Sequence, residues 1–245
     1  MSSEHPRITA IIPTFNEAHK IATAIEEVSK ALGSVGETNE IIIVDNASPD
    51  HTASIAREIC PPGTKVRVLV NSRNEGKGFS VRRGMLEANG DWRFFIDADL
   101  STPPDEIPRF WKLAREEEFG IIVGSRLASG ASVVRPQSLP RRLAGQVCLS
   151  VTRAIVPKLP RDIFCGFKWF RSDVAEILFS SQTTKGWLFD AEILGKAAML
   201  GITVLEVPIH WENDPDSKLS MLKDLPSILK ELLQIRKSIR SASRV

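Results

Sequence analysis

Phe94-Phe95-Ile96-Asp97-Ala98-Asp99-Leu100-Ser101-Thr102-Pro103-Pro104 joins an apolar run to two carboxylates and then to a pair of prolines. Trp92 to Ile96 has the aromatic content of a buried strand. Side chains alternate faces along a strand, so Asp97 and Asp99 are expected to project the same way at its C-terminal end. Two carboxylates so placed can share a hard divalent cation such as Mg2+ or Mn2+, whose remaining oxygen ligands usually come from substrate phosphates. The alternative is structural: two aspartates that end a strand and cap the helix begun by Pro103-Pro104.

The same pattern recurs on either side. Ile8 to Pro13 is a β-branched run, followed by Asn16-Glu17 and a helical spacing of Ile21, Ala24, Ile25, Val28 and Leu32 that stops near Gly33. Ile41-Ile42-Ile43-Val44 ends in Asp45, with Asp50 expected to cap the next helix. Val66 to Val70 leads into the glycine-bearing loop Asn74-Glu75-Gly76-Lys77-Gly78, and Gly120–Gly124 supplies a fifth strand. Strands alternating with helices in this way predict an α/β fold, a Rossmann-like mostly parallel sheet with helices on both faces and ligands at its carboxyl edge. Further on, the spacing predicts an amphipathic helix over about 137–157, a strand over Phe164–Phe170, a helix over Trp187–Met199, a strand over Ile202–Ile209 and a last helix from about Leu219.

Bulk properties narrow the partners. With 42% hydrophobic and 25% charged residues the chain is an ordinary globular protein, not a disordered one. Cys60, Cys148 and Cys165 are too scattered for a zinc site or a disulfide framework, and His5, His19, His51 and His210 have no ligand spacing. No apolar run reaches the roughly 18–20 residues that cross a bilayer, and Met1 to Pro6 has no signal-peptide core, so a cytoplasmic protein is expected. Residues 1–120 hold 14 Lys and Arg against 19 Asp and Glu, whereas residues 121–245 hold 18 against 11. A basic second half suits an anionic partner, although scattered solvated charge explains it equally. Nucleic acid is the weaker partner, because no helix-turn-helix, zinc-finger or RNA-platform pattern is present.

Collected in order, Ile12 to Glu17, Val44 to Asp50, Asn74 to Gly78, Asp97 to Pro104, Gly124-Ser125-Arg126, Asp162 to Lys168, Trp187 to Glu192 and Ser217-Lys218 resemble the motifs of GT-A glycosyltransferases of family 2. The resemblance covers about residues 8–220 and is nearest to the polyprenyl-phosphate hexosyltransferases that include dolichyl-phosphate glucosyl- and mannosyltransferases. It implies one GT-A domain over 1–218, with a donor half to about 126 and an acceptor half from 127, then a basic amphipathic helix over 219–245.

The resemblance also implies roles. Pro13, Thr14, Asn16, Glu17 and Asp45 bound the base and ribose of a nucleotide sugar, with Lys77 and Asp97 beside it and the glycines at 76 and 78 letting backbone approach. Asp97 and Asp99 hold Mg2+ or Mn2+. Ser101 stands where mannosyl relatives often carry a metal-binding glutamine, so a third ligand would be water or phosphate. Arg126 and Lys218 stabilise the departing nucleoside diphosphate, Asp190 (with Glu192) is the candidate base or acceptor-positioning group, and Arg135 and Arg141 meet the acceptor phosphate. Trp169, Trp187 and Trp211 are read as core.

The expected reaction is inverting transfer of a hexose, UDP-glucose favoured as donor, to a polyprenyl or dolichyl phosphate at the cytoplasmic membrane face. Residues 219–241 place apolar positions at near-helical spacing beside Lys230, Arg236, Lys237, Arg240 and Arg244, which suits peripheral attachment. The alternative is a helix packed on the domain. GDP-mannose as donor, a soluble hydroxyl acceptor and a non-catalytic nucleotide-sugar binder stay open at this point.

Overall fold

The computed structural model describes residues 5–116, 118–134, 139–156, 158–213, 231–232, 234–236 and 238–239, with backbone alone for 139–144. Strands β1 (Ile8–Thr14), β2 (Asn39–Asp45), β3 (Lys65–Val70) and β4 (Trp92–Ile96) alternate with helices α1 (Ile21–Val35), α2 (Thr52–Glu58), α3 (Lys77–Glu87) and α4 (Ile107–Ala114). α4 is entered through a 3-10 turn at Pro104–Glu106, where two prolines supply the fixed φ of a helix start. Then follow β5 (Ile121–Ser125), β6 (Ser132–Val134), α5 (Leu139–Ile155), β7 (Phe167–Arg171), α6 (Ser172–Ser180), α7 (Phe189–Met199), β8 (Val204–Pro208) and β9 (His210–Glu212).

Seven strands form one sheet in the order β3-β2-β1-β4-β7-β5-β8, and β6 and β9 form a small parallel pair. Every pairing in the large sheet is parallel except those of β7, which runs antiparallel to both β4 and β5. This reversal matters for the site, since it sets Phe167, at the start of β7, opposite Ile96 at the end of β4.

The strands are apolar on both faces because helices cover both. On one face Ile8, Ala10, Ile12, Ile41, Ile43, Phe94 and Trp169 pack against α1 and α4. On the other, Ile11, Ile42, Val44, Phe95 and Phe170 pack against α3, α6 and α7. The period of two in each strand delivers alternate residues to the two cores. α1 buries Ile21, Ala24, Ile25, Val28 and Leu32, the expected stripe, and ends at Gly36 with φ of 76°.

Two apolar stripes differ from simple expectation. On α5, Val147 and Val151 are 64% and 39% exposed, while Thr152, and Val156 just past the helix, are buried and Cys148 and Leu149 pack on the second core. Near the end of the chain, residues 231–232, 234–236 and 238–239 are helical, and Leu232, Ile235 and Ile239 insert into that same core. That part of the C-terminal stripe faces protein. Residues 214–230 and 240–245 lie outside the described residues.

Candidate active site

β4 stops at Ile96, so Asp97 and Asp99 lie in the turn that follows and not on the strand. Their placement therefore comes from turn geometry in place of the expected pleat. The Leu100 N–H donates to the Asp97 carbonyl at 3.0 Å, and Leu100 itself takes φ of 50°. Asn16 (φ 57°) after β1 and Ala47 (φ 58°) after β2 are left-handed too, so three non-glycine residues in this costly region line one edge of the sheet. Burial pushes the Asp99 carboxyl above its ordinary range and the Asp97 charge adds to this, against a 2.9 Å hydrogen bond from the Ser101 N–H.

Asp97 has two close neighbours. Lys77, the first residue of α3, places Nζ 2.5 Å from its Oδ1. Burial works against the lysine's charge, but Asp97 in contact and Asp190 and Asp99 farther off outweigh it and hold the ammonium above its usual pKa. Gly166, just before β7, is the second: a Cβ there would fall 2.0 Å from Asp97 Oδ2, so only a hydrogen leaves room for the carboxylate.

Lys168 lies opposite Phe95 in the β4–β7 register and is wholly buried, with Nζ 2.7 Å from Asp190 Oδ1 and 5.2 Å from the Phe95 ring centroid. It also donates to the Cys165 carbonyl at 2.5 Å. Burial pushes the Asp190 carboxyl up, and the ammonium of Lys168 recovers only part of that. The sequence signal for this pair is a single lysine within the aromatic run Phe167–Phe170, a position that a solvated cation does not take.

Arg126 follows β5. Its Nε and Nη2 reach Asp162 at 2.7 and 2.8 Å, its own N–H donates to the same carboxylate at 2.9 Å, and the guanidinium lies 5.2 Å from the Trp211 ring. The paired-donor edge expected for a diphosphate is thus directed at Asp162. Burial opposes both charges, but each partner outweighs it for the other, raising the arginine and lowering the carboxyl.

At the ends of β1 and β2, Asp45 is buried and accepts from the Ser48 hydroxyl at 2.5 Å, the Ser48 N–H at 3.1 Å and the Thr14 hydroxyl at 3.4 Å. The Asn16 N–H donates to the Ser48 hydroxyl at 2.9 Å and the Glu17 N–H to Thr52 at 2.9 Å. These residues knit the loops after β1 and β2 together beside half-buried Pro13. The N-cap of α2 is His51 and not the expected Asp50, which accepts the Thr52 N–H at 3.0 Å from one residue earlier. The glycines at 76 and 78 admit the chain's own backbone: a Cβ would lie 2.5 Å from the Lys185 carbonyl and 2.8 Å from that of Gly186.

Trp169 and Trp211 are buried as expected, but Trp187 is 43% exposed with Lys77 Nζ 5.5 Å from its ring. It borders the site and is not core. Leu188 and Phe189 beside it are the buried members of that run. Lys218 and Arg135 lie outside the described residues, and of Arg141 only its backbone, in the first turns of α5, is described.

Residues 9–178 match the profile of glycosyl transferase family 2. The chain belongs to that family. This family 2 transferase is 33% identical over 230 residues to the dolichyl-phosphate beta-glucosyltransferase of Drosophila melanogaster, with 87% of this chain and 69% of that protein covered. It is 32% identical over 223 residues to the dolichyl-phosphate beta-glucosyltransferase of Trichomonas vaginalis, covering 87% and 66%. The transferase therefore spans 66% and 69% of the lengths of these two relatives. Among solved structures, glucosyl-3-phosphoglycerate synthase from Mycobacterium tuberculosis, in complex with Mn2+, UDP-glucose and phosphoglyceric acid, has a TM-score of 0.67 at 18% identity, covering 98% of the transferase and 80% of that chain. That likeness is one of fold.

Among the described residues no cluster of three or more His, Cys, Asp or Glu could hold a metal ion. Asp97 and Asp99 remain as a two-carboxylate donor set, which fits a hard divalent ion that takes its other ligands from a bound diphosphate. The raised Asp99 carboxyl agrees with a second acidic group whose charge the protein alone does not fully balance.

Proposed function

We propose that this transferase moves glucose from UDP-glucose to a polyprenyl phosphate, dolichyl phosphate by the pattern of its relatives, with inversion and at a membrane surface. The observation that carries this reading is the turn after β4. It holds Asp97 against Lys77 with Asp99 two residues on, and the Lys168–Asp190 pair beside them, in a chain similar to dolichyl-phosphate beta-glucosyltransferases.

In the reaction, an oxygen of the acceptor phosphate bonds to the anomeric carbon while the bond from that carbon to the diphosphate breaks, its electron pair leaving with UDP. An α-linked donor then gives a β product, in accord with the relatives' names. A divalent ion held by Asp97 and Asp99, Mg2+ or Mn2+, would supply positive charge to the leaving diphosphate. Lys77 brings a fixed cation to the same place, and Arg126 and Lys218 are assigned the remaining charge stabilisation. A lipid phosphate is already ionised, so no strong base is required. Asp190 then serves to position the acceptor, with Lys168 holding its carboxylate.

Arg135 and Arg141 are assigned to the acceptor phosphate. Exposed Leu127, Val133, Val134, Val147 and Val151, around β6 and α5, offer apolar surface to a prenyl chain or bilayer. Among the described residues no helix is long and apolar enough to cross a membrane. With Leu232, Ile235 and Ile239 turned inward, the terminal helix would present its outer face, including exposed Arg236, to anionic headgroups at the cytoplasmic leaflet.

A panel of nucleotide sugars with polyprenyl phosphate and Mn2+ or Mg2+, read by nucleoside diphosphate release, tests the proposal. Turnover with UDP-glucose is expected, and turnover with GDP-mannose alone would replace the hexose. A second reading, transfer to a hydroxyl, draws on the raised Asp190 carboxyl, which suits a general base. Under it Asp190→Asn abolishes transfer to a hydroxyl sugar, whereas a lipid-phosphate enzyme keeps part of its rate.

A further inference from the structure

Residues 181–188 connect α6 to α7 and bring Trp187 to the rim of the site beside Lys77. The connection is held from three sides. From α7, the Glu192 carboxylate accepts the Thr183 N–H at 3.0 and 3.1 Å and the Thr184 N–H at 2.7 Å. From α3, the Phe79 and Gly78 N–H groups donate to the carbonyls of Lys185 at 3.0 Å and Gly186 at 3.3 Å. From the C-terminal helix comes Glu231, whose Oε2 accepts the Leu188 N–H at 3.1 Å.

The third contact answers a need of α7. Its N-cap position is Leu188, which has no side-chain acceptor for the open N–H groups of a first turn. Glu231 supplies a carboxylate there from another element, at the helix end where negative charge is favoured. The helix that carries it is fixed by Leu232, Ile235 and Ile239 in the second core and by Ser238, whose hydroxyl donates to Glu192 Oε1 at 2.7 Å. Gly186 is complementary to the arrangement, since a Cβ there would lie 1.8 Å from Glu231 Oε1.

We propose that Glu231 is a positioning residue: from the C-terminal helix its carboxylate fixes the Gly186–Leu188 turn and so sets Trp187 beside Lys77 and Asp190 beside Lys168. The terminal helix is then a structural part of the active site. The catalytic consequence rests on the transfer reaction proposed above, but the positioning itself does not.

Trp187 provides a reporter, because Trp92, Trp111, Trp169 and Trp211 are all buried. Acrylamide quenching of tryptophan emission in the full chain, with Trp187→Phe as the reference that isolates its contribution, reads the state of the turn without any substrate. Glu231→Ala and Gly186→Ala should each increase the quenching of Trp187. The atoms nearest an alanine methyl at 186 are those of the Glu231 carboxylate, the tip of a flexible side chain, so the methyl expels the carboxylate before it disturbs the backbone. Glu231→Gln, which keeps an acceptor and the side-chain volume, should stay near wild type. Adding Gly186→Ala to Glu231→Ala should change nothing further, since both act through one contact. In the transfer assay each single alanine variant should lower kcat by roughly ten- to a hundredfold with a smaller change in donor KM, as expected for misplaced groups. Unchanged Trp187 quenching in Glu231→Ala, or additive effects of the two alanine changes, would overturn the proposal. A wild-type chain that transfers no sugar would instead refute the proposed reaction, and the quenching comparison would still decide the role of Glu231.

Discussion

Lys168 Nζ and Asp190 Oδ1 stand 2.7 Å apart beneath the carboxyl edge of the sheet, the lysine with none of its side chain exposed. A buried pair of this kind contributes little over an apolar replacement of both members, whereas removing one member strands the other. Lys168→Met should therefore destabilise the fold by about 3–5 kcal/mol in urea unfolding at neutral pH. Lys168→Met with Asp190→Leu should recover most of that loss. A single variant as stable as wild type would show that the two side chains are not paired in solution.

Asp99 faces the site from a turn, where it accepts the Ser101 N–H at 2.9 Å. Asp99→Ala should cost no more than about 1 kcal/mol of stability. Titration calorimetry with UDP, with and without Mn2+, should find the metal dependence of binding abolished. A metal response equal to wild type would remove Asp97 and Asp99 from the ion site.

Arg126 directs two guanidinium hydrogen bonds at buried Asp162. Lysine keeps the charge but not the planar fork, and leaves part of a buried carboxylate unsatisfied. Arg126→Lys is expected to lose about 2 kcal/mol, lowering the thermal midpoint by roughly 4–8 °C for a chain of this size. Its transfer rate should fall as well. A rate defect with an unchanged midpoint would mean that Arg126 meets substrate and not Asp162.

Glu192 sits at the base of the turn that carries Trp187. Burial opposes its charge, but Lys196 at 2.7 Å, the Thr184 and Thr183 N–H groups and Ser238 outweigh it and hold the carboxyl at about 2. Because the folded pKa lies below the unfolded one, this stabilisation is present above about pH 4.5 and is lost as pH falls toward 2. Glu192→Gln should flatten the acid limb of a stability-against-pH curve across that window. It should also cost stability at neutral pH, where Lys196 is left buried without its counter-charge.

The parallel strands were legible because each is an apolar run closed by turn residues, and Asp97, Asp45 and Asn16 stand at their ends. β7 was visible as an apolar run but not as an antiparallel one. Its partner β4 lies far back in the chain, and periodicity carries no record of which strand a distant segment will join. Strands as short as β6 and β9 leave no period to read. α6 follows β7 at Ser172 without a glycine or proline to mark the change.

The site divides in the same way. Carboxylates at strand ends announce themselves, but Lys168 and Asp162 do their work as partners, and partnership is a property of the folded chain. Trp187 belongs to an aromatic and apolar triplet of which two members are buried, so composition alone gives all three to the core. The C-terminal stripe of Leu232, Ile235 and Ile239 has the same spacing whether lipid or protein receives it. Only tertiary packing distinguishes them.

The antiparallel strand between β4 and β5 also bears on how the chain is made. β4 and β5 do not pair with each other, and both wait for Phe167–Arg171. A nascent chain that has emerged through Ser125 carries two apolar strands, Trp92–Ile96 and Ile121–Ser125, with edges open to other chains. Closure then requires contacts across a long sequence separation, the slow class of folding event, during which exposed strands are prone to aggregate. A fragment ending near Arg126 is therefore a poor candidate for expression by itself, and it must extend past Arg171 before its central sheet has no missing strand between β4 and β5.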